Sequence, residues 1–160
     1  MNVRARLDAL RAADTATQLR TGVLGLVALG IGGTTVELVF LRHWSSPTAT
    51  IVWPVMLVLA VGFLALVFRP SRRVVQGVRI VALVAMAFAL IGVGFHVAEN
   101  LAAGPLDRLY ATRWGSMSAV EQWFRAITGS VGPAPTLAPG VLAEMGLGLW
   151  LATLRHPSMR

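Results

Sequence analysis

Apolar residues run along this chain in four long blocks separated by short polar clusters, and the period-2 alternation of half-buried strands is missing. The blocks cover residues 21–41 (TGVLGLVALGIGGTTVELVFL), 49–68 (ATIVWPVMLVLAVGFLALVF), 79–98 (RIVALVAMAFALIGVGFHVA) and 138–154 (APGVLAEMGLGLWLATL). A helix needs about 20 mostly apolar residues to cross the hydrocarbon core of a bilayer; the last block is the shortest. Lipid offers no partner to backbone polar groups, so such blocks are expected to be helical. The pattern predicts an all-α integral membrane protein built as a four-helix bundle over residues 21–154.

The polar segments between the blocks carry their own patterns. Residues 1–20 form a basic tail in which Val3, Leu7 and Leu10 share one side of a potential helix over 2–13, the form of a helix lying on an anionic membrane surface. A disordered basic tail is the equal alternative. Thr15 and Gln18 have the spacing of a capping box opening the first block. The 99–137 segment is too long for a plain connector. Within it, Ser118 and Glu121 form a second capping box, Val120, Trp123, Phe124 and Ile127 recur at helical spacing, and Gly129 marks a stop. This predicts a short amphipathic helix over about 119–128, lying at the outer interface with Trp114, Trp123 and Phe124 or capping the bundle. The Pro-rich stretch 132–140 is expected to be an ordered turn.

Composition agrees with the pattern. The 160 residues are 56% hydrophobic and 13% charged, and a soluble domain carries about a quarter charged residues. The net charge of +7 comes from arginine alone, set in clusters beside the apolar blocks, so it reads as topology signal and lipid-headgroup contact and no nucleic-acid partner is expected. Arg4, Arg6, Arg11 and Arg20 precede the first block, Arg69, Arg72, Arg73 and Arg79 separate the second from the third, and Arg155 and Arg160 end the chain. Positive-inside reasoning puts both ends, including residues 155–160, in the cytoplasm, with 42–48 and 99–137 outside, in a bacterial inner membrane. The first block is too long for a cleaved signal and is expected to be an uncleaved anchor. Without cysteine, thiolate ligands and thiol nucleophiles are excluded.

Candidate chemistry is confined to a few ionisable groups in the apolar blocks: Glu37, His96, Glu99 and Glu144, all toward the outer side. Small residues accompany them. Gly30 and Gly33 share a face with Glu37, Gly92 with His96, and Gly140 and Gly148 with Glu144, so the first, third and fourth blocks are expected to pack through the faces that carry the acids. The second block, with Trp53, Met56 and Phe63, is left for lipid or a partner. Three readings compete. The groups tie helices together, paired with Arg42, Arg108 or Arg113 where ionised. Or they bind a transition metal, His96 and Glu99 at i, i+3 with Glu37, Glu144 and His43 as further ligands. Or they pass protons or ions, as in a small coupled carrier. A haem has only His96 on a helix face and would need His43 as well, so a metal ion is the better fit. His43 and His156 are expected at the interfaces.

Three stretches, GIGGTTVELVFLRHW at 30–44, GVGFHVAEN at 92–100 and PAPTLAPGVLAEMGLGLWLATLRHP at 133–157, resemble a family of small bacterial four-span membrane proteins without established activity. Glu37, the His96-x-x-x-Asn100 pair and the LAPG turn carry the likeness. It implies the span count and no function. The absence of a complete catalytic set or of inverted repeats favours a non-catalytic accessory subunit of a larger, energy-converting membrane complex, whose partners are lipid and other subunits.

Overall fold

The structure, a computed structural model, describes residues 12–159; the helix expected over 2–13 lies outside them but for its last two positions. Its helices are α1 (Thr15–Phe40), α2 (Val52–Phe68, after a single turn at Pro47–Thr50), α3 (Arg72–Ala103), α4 (Ala119–Ile127) and α5 (Gly140–Thr153). No strand occurs among the described residues. Three helical stretches, Thr15–Phe40, Pro47–Phe68 and Arg72–Leu106, are long and apolar enough to cross a membrane, and α5 is a shorter apolar helix.

The helices outrun the apolar blocks where polar side chains can serve the backbone. Asp14, and not Thr15, caps α1: its Oδ1 accepts from the Thr17 N–H at 2.7 Å. Ser71 does the same for α3, accepting from the Val74 N–H at 3.3 Å, which brings Arg72 and Arg73 into the helix. Hydropathy marks only the part of a helix that suits lipid; caps set where it begins.

Two compact units divide the chain, Ala87–Val141 and the described residues on either side of it. In the outer-flanking unit, α1 packs on α2, and Gly62 of α2 sits against Val78 and Val81 of α3. The α5 helix runs antiparallel to α1, with Gly148 against Val27 and Gly30 against Met145. It also runs antiparallel to α3, with Gly146 over the Ala82 carbonyl and Arg79 beside Thr153. Leu59, Val75, Ala82 and Leu149 are fully buried between these helices. Met56, expected to face lipid or a partner, is buried with them, while Trp53 and Phe63 are half-buried. Trp53 donates its indole N–H to the His43 carbonyl at 2.8 Å and so fastens the turn between α1 and α2.

The Ala87–Val141 unit gathers Val97, Tyr110, Trp114, Ala126 and Val131 into a core. Trp114, expected at an interface, is buried because Gly104 has no Cβ and its backbone lies against the indole ring. Tyr110 lies between the guanidinium groups of Arg113 and Arg125, whose carbons are 4.9 and 5.3 Å from the ring centre. The capping serine of α4 is in place, Ser118 Oγ accepting from the Glu121 N–H at 3.2 Å. The helix ends on Gly129 at φ 66°, with the Ser130 N–H on the Arg125 carbonyl at 3.0 Å.

The orientation of α4 is the reverse of an ordinary surface helix. Gln122 donates inward to the Trp114 carbonyl at 2.8 Å, Arg125 to the Tyr110 hydroxyl at 3.2 Å, and Ala126 is fully buried. The apolar stripe of Val120, Trp123, Phe124 and Ile127 is exposed and covers nothing in its own unit.

Candidate functional site

Each polar group singled out in the sequence has a definite place. Glu37 and Glu144 belong to the unit built from α1, α2, α5 and the start of α3, and both are exposed. Neither is held by a hydrogen bond or ion pair to another described residue. Gly30 and Gly148 meet Met145 and Val27, but no atom comes within 4 Å of a Cβ built on Gly33 or Gly140. Of the glycines expected to share the acids' faces, Gly30 and Gly148 thus make close helix contacts and Gly33 and Gly140 do not. A further close approach, against backbone, is at Gly146, where a Cβ would stand 2.8 Å from the Ala82 carbonyl oxygen.

In the Ala87–Val141 unit, Glu99 is exposed and His96 partly so. The His96 Nδ1 lies 2.8 Å from the Pro135 carbonyl. A carbonyl only accepts, so Nδ1 carries the proton and Nε2 is the free lone pair. One turn further along α3 is Asn100, fully buried. Its Nδ2 donates to the carbonyls of Ala126 (3.1 Å) and Ala134 (2.9 Å) and reaches Thr136 Oγ1 (3.3 Å); its Oδ1 accepts from the Ala134 N–H (2.9 Å). Thr136 adds a bond to the Ala126 carbonyl at 3.1 Å. Gly132, at φ 79°, lets the backbone pass directly over Asn100. Gly92 lets Pro139 approach α3 in the same manner. His96 and Asn100 therefore hold the Pro-rich segment to α3, and Asn100 also ties down the end of α4. Among the described residues, no three or more His, Asp or Glu side chains converge in the way a metal ion requires.

A second polar assembly was not legible as such in the sequence. The last carbonyls of an α-helix have no partner within the helix. At the end of α5, Arg20 donates to the carbonyls of Ala152 (3.0 Å), Leu154 (3.3 Å) and Arg155 (3.4 Å). Arg79 donates to Thr153 Oγ1 (3.0 Å) and to the Thr153 carbonyl (3.1 Å), with its guanidinium 5.9 Å from the Trp150 ring centre. Two cations at a helix C-terminus also complement its dipole. These contacts bring the starts of α1 and α3 and the end of α5 to one end of their unit.

His156 closes that end. Expected among headgroups, it is buried, and its Nδ1 accepts from the Ser158 N–H at 3.2 Å. Burial, reinforced by the Arg20 charge, lowers its pKa below 6.5. The folded form therefore favours the neutral ring. The contribution is complete above the unfolded value and is lost as pH falls through the folded one. Unfolding in detergent should show a midpoint that drops as pH falls below the ordinary histidine value of 6.5, and His156→Phe should remove part of that drop. Equal slopes for the two proteins would show that His156 is not a source of it.

Compared with protein-family models, with curated proteins and with solved structures, the chain matches none.

Proposed function

We propose that this chain is a small integral membrane protein whose helices α1, α2, α3 and α5 form a four-helix bundle across a bacterial inner membrane. Its arginine-rich end and both termini face the cytoplasm, α4 lies at the outer interface, and the protein serves as a non-catalytic accessory subunit of a larger membrane complex. The meeting of Arg20, Arg79 and Arg155 at one end of the α1–α2–α5 unit supports the orientation, since clustered arginines are retained on the cytoplasmic side.

The observation that carries the accessory role is the exposure of Glu37 and Glu144 on apolar helices. Glu37 is about 4.5 Å along the axis from the end of α1, and Glu144 about 6 Å from the start of α5. A carboxylate at membrane depth costs a few kcal/mol unless it faces a partner or a cavity. Here neither acid is turned into its own unit. A neighbouring subunit that presents donors or cations at that depth would resolve both.

Extraction in mild detergent is expected to bring partner subunits in fixed stoichiometry, read by native mass spectrometry. Glu37→Gln with Glu144→Gln should leave the protein folded and loosen that association. A lone, monodisperse protein under every mild condition would sink the proposal.

A further inference from the structure

The exposed stripe of α4 has two candidate occupants, a partner subunit and the bilayer itself. We propose that α4 lies in the headgroup–acyl boundary of the outer leaflet with lipid against Val120, Trp123, Phe124 and Ile127. This inference rests on the membrane-spanning reading above.

Polarity is the first argument. A helix on a water-exposed surface turns its charged face outward. In α4 the polar side chains Gln122 and Arg125 are spent on Trp114 and Tyr110, and the outward positions are apolar, Val120 at 80% and Phe124 at 61% exposure. That arrangement is stable only where the surroundings are themselves apolar.

Depth is the second argument, and α3 provides the ruler. From Arg79 to Asn100 the helix advances about 31 Å, close to the thickness of a hydrocarbon core. The Asn100 Nδ2 holds the Ala126 carbonyl at 3.1 Å. The end of α4 is therefore pinned level with the outer end of the apolar run of α3, at the boundary and not above it.

Charge distinguishes lipid from protein. The segment leading into α4 exposes Arg108 and Arg113 beside Leu106 and Leu109, which are 84% and 76% exposed. Apolar and aromatic side chains inserted at one level, with arginines beside them, match an interface that offers acyl chains below and phosphates at the surface.

The cysteine-free chain allows a direct test. Single cysteines at Val120, Trp123, Phe124 and Ile127 carry a nitroxide, in the full chain reconstituted into phosphatidylethanolamine–phosphatidylglycerol vesicles. Val58 on α2, itself exposed, is the spanning control, and Thr112 the loop control. Oxygen and a water-soluble nickel chelate compete as relaxing agents. The expected oxygen-to-nickel ratio at the α4 sites is several-fold above that at Thr112 and below that at Val58. Ratios as low as Thr112 would mean water around α4 and overturn the inference. Shielding from both agents would mean a protein partner and overturn it equally. In either case a high ratio at Val58 leaves the membrane reading standing, and a low one removes it as well.

Discussion

Asn100→Leu should release residues 104–141 from the end of α3 while α1, α2 and α5 stay folded. The substitution keeps the branched shape and heavy-atom count of the side chain and removes every donor and acceptor at a position with no solvent access. The Ala134 N–H and the Ala134 carbonyl lose their asparagine partner, and the Ala126 carbonyl keeps Thr136 and the Gly129 N–H. Each buried backbone group left without a partner costs about 1–3 kcal/mol, so a total near 4 kcal/mol is expected. Asn100→Asp should do nearly as badly, because it sets a carboxylate against the two carbonyls that the amide now serves. Hydrogen exchange gives the clearest measurement. The Ala134 and Ser130 amides should lose protection in the variant, and those of α2 should not. Uniform loss across all helices would show instead that the two units unfold together.

Gly146→Leu should have an effect of similar size on the other unit. Its Cβ would stand 2.8 Å from the Ala82 carbonyl oxygen and 3.1 Å from Met86 Cγ, and backbone cannot step aside as a flexible side chain does. Overpacking ordinarily costs about 1–3 kcal/mol, and a first-atom collision with backbone belongs at or above the top of that range. Separating α3 from α5 also lengthens the Arg79–Thr153 bonds. The informative comparison is Gly33→Ala, where no atom lies within 4 Å and the change should stay within about 0.5 kcal/mol. Unfolding in a graded series of mixed micelles measures both. If Gly33→Ala proves the more damaging, the rotation assigned to α1 is wrong.

The long helices were legible from hydropathy because burial in lipid demands unbroken apolar runs, and the glycine stop and serine cap of α4 were legible because caps are local. What escaped is what depends on rotation and on distant chain. Val120, Trp123, Phe124 and Ile127 announce an apolar stripe, but nothing in their spacing says that it faces away from the protein; that is decided by Asn100 and Trp114, each reaching α4 from another segment. Arg20 and Arg79 look like any other arginines flanking an apolar block until the end of α5 is brought to them across more than 70 residues of chain. Trp114 looks interfacial until Gly104 is seen to make room for it. His96 and Asn100 stand out in sequence as polar residues one turn apart, and their spacing does place both on the Pro-rich segment. Their partners there are backbone atoms, which leave no mark on side-chain pattern.

The arginine contacts at the end of α5 bear on how the protein is made. At 14 residues α5 is about 21 Å long, short of a full hydrocarbon crossing, and it follows α1 and α3 in the chain. When it emerges, Arg20 and Arg79 have already been synthesised on α1 and α3. On the membrane-spanning reading proposed above, α5 thus enters the bilayer with the donors for its terminal carbonyls already waiting. On that reading its insertion is completed by docking onto α1 and α3 more than by its own hydropathy, and a chain carrying Arg20→Ala and Arg79→Ala should fail at that step, with the earlier helices already in place.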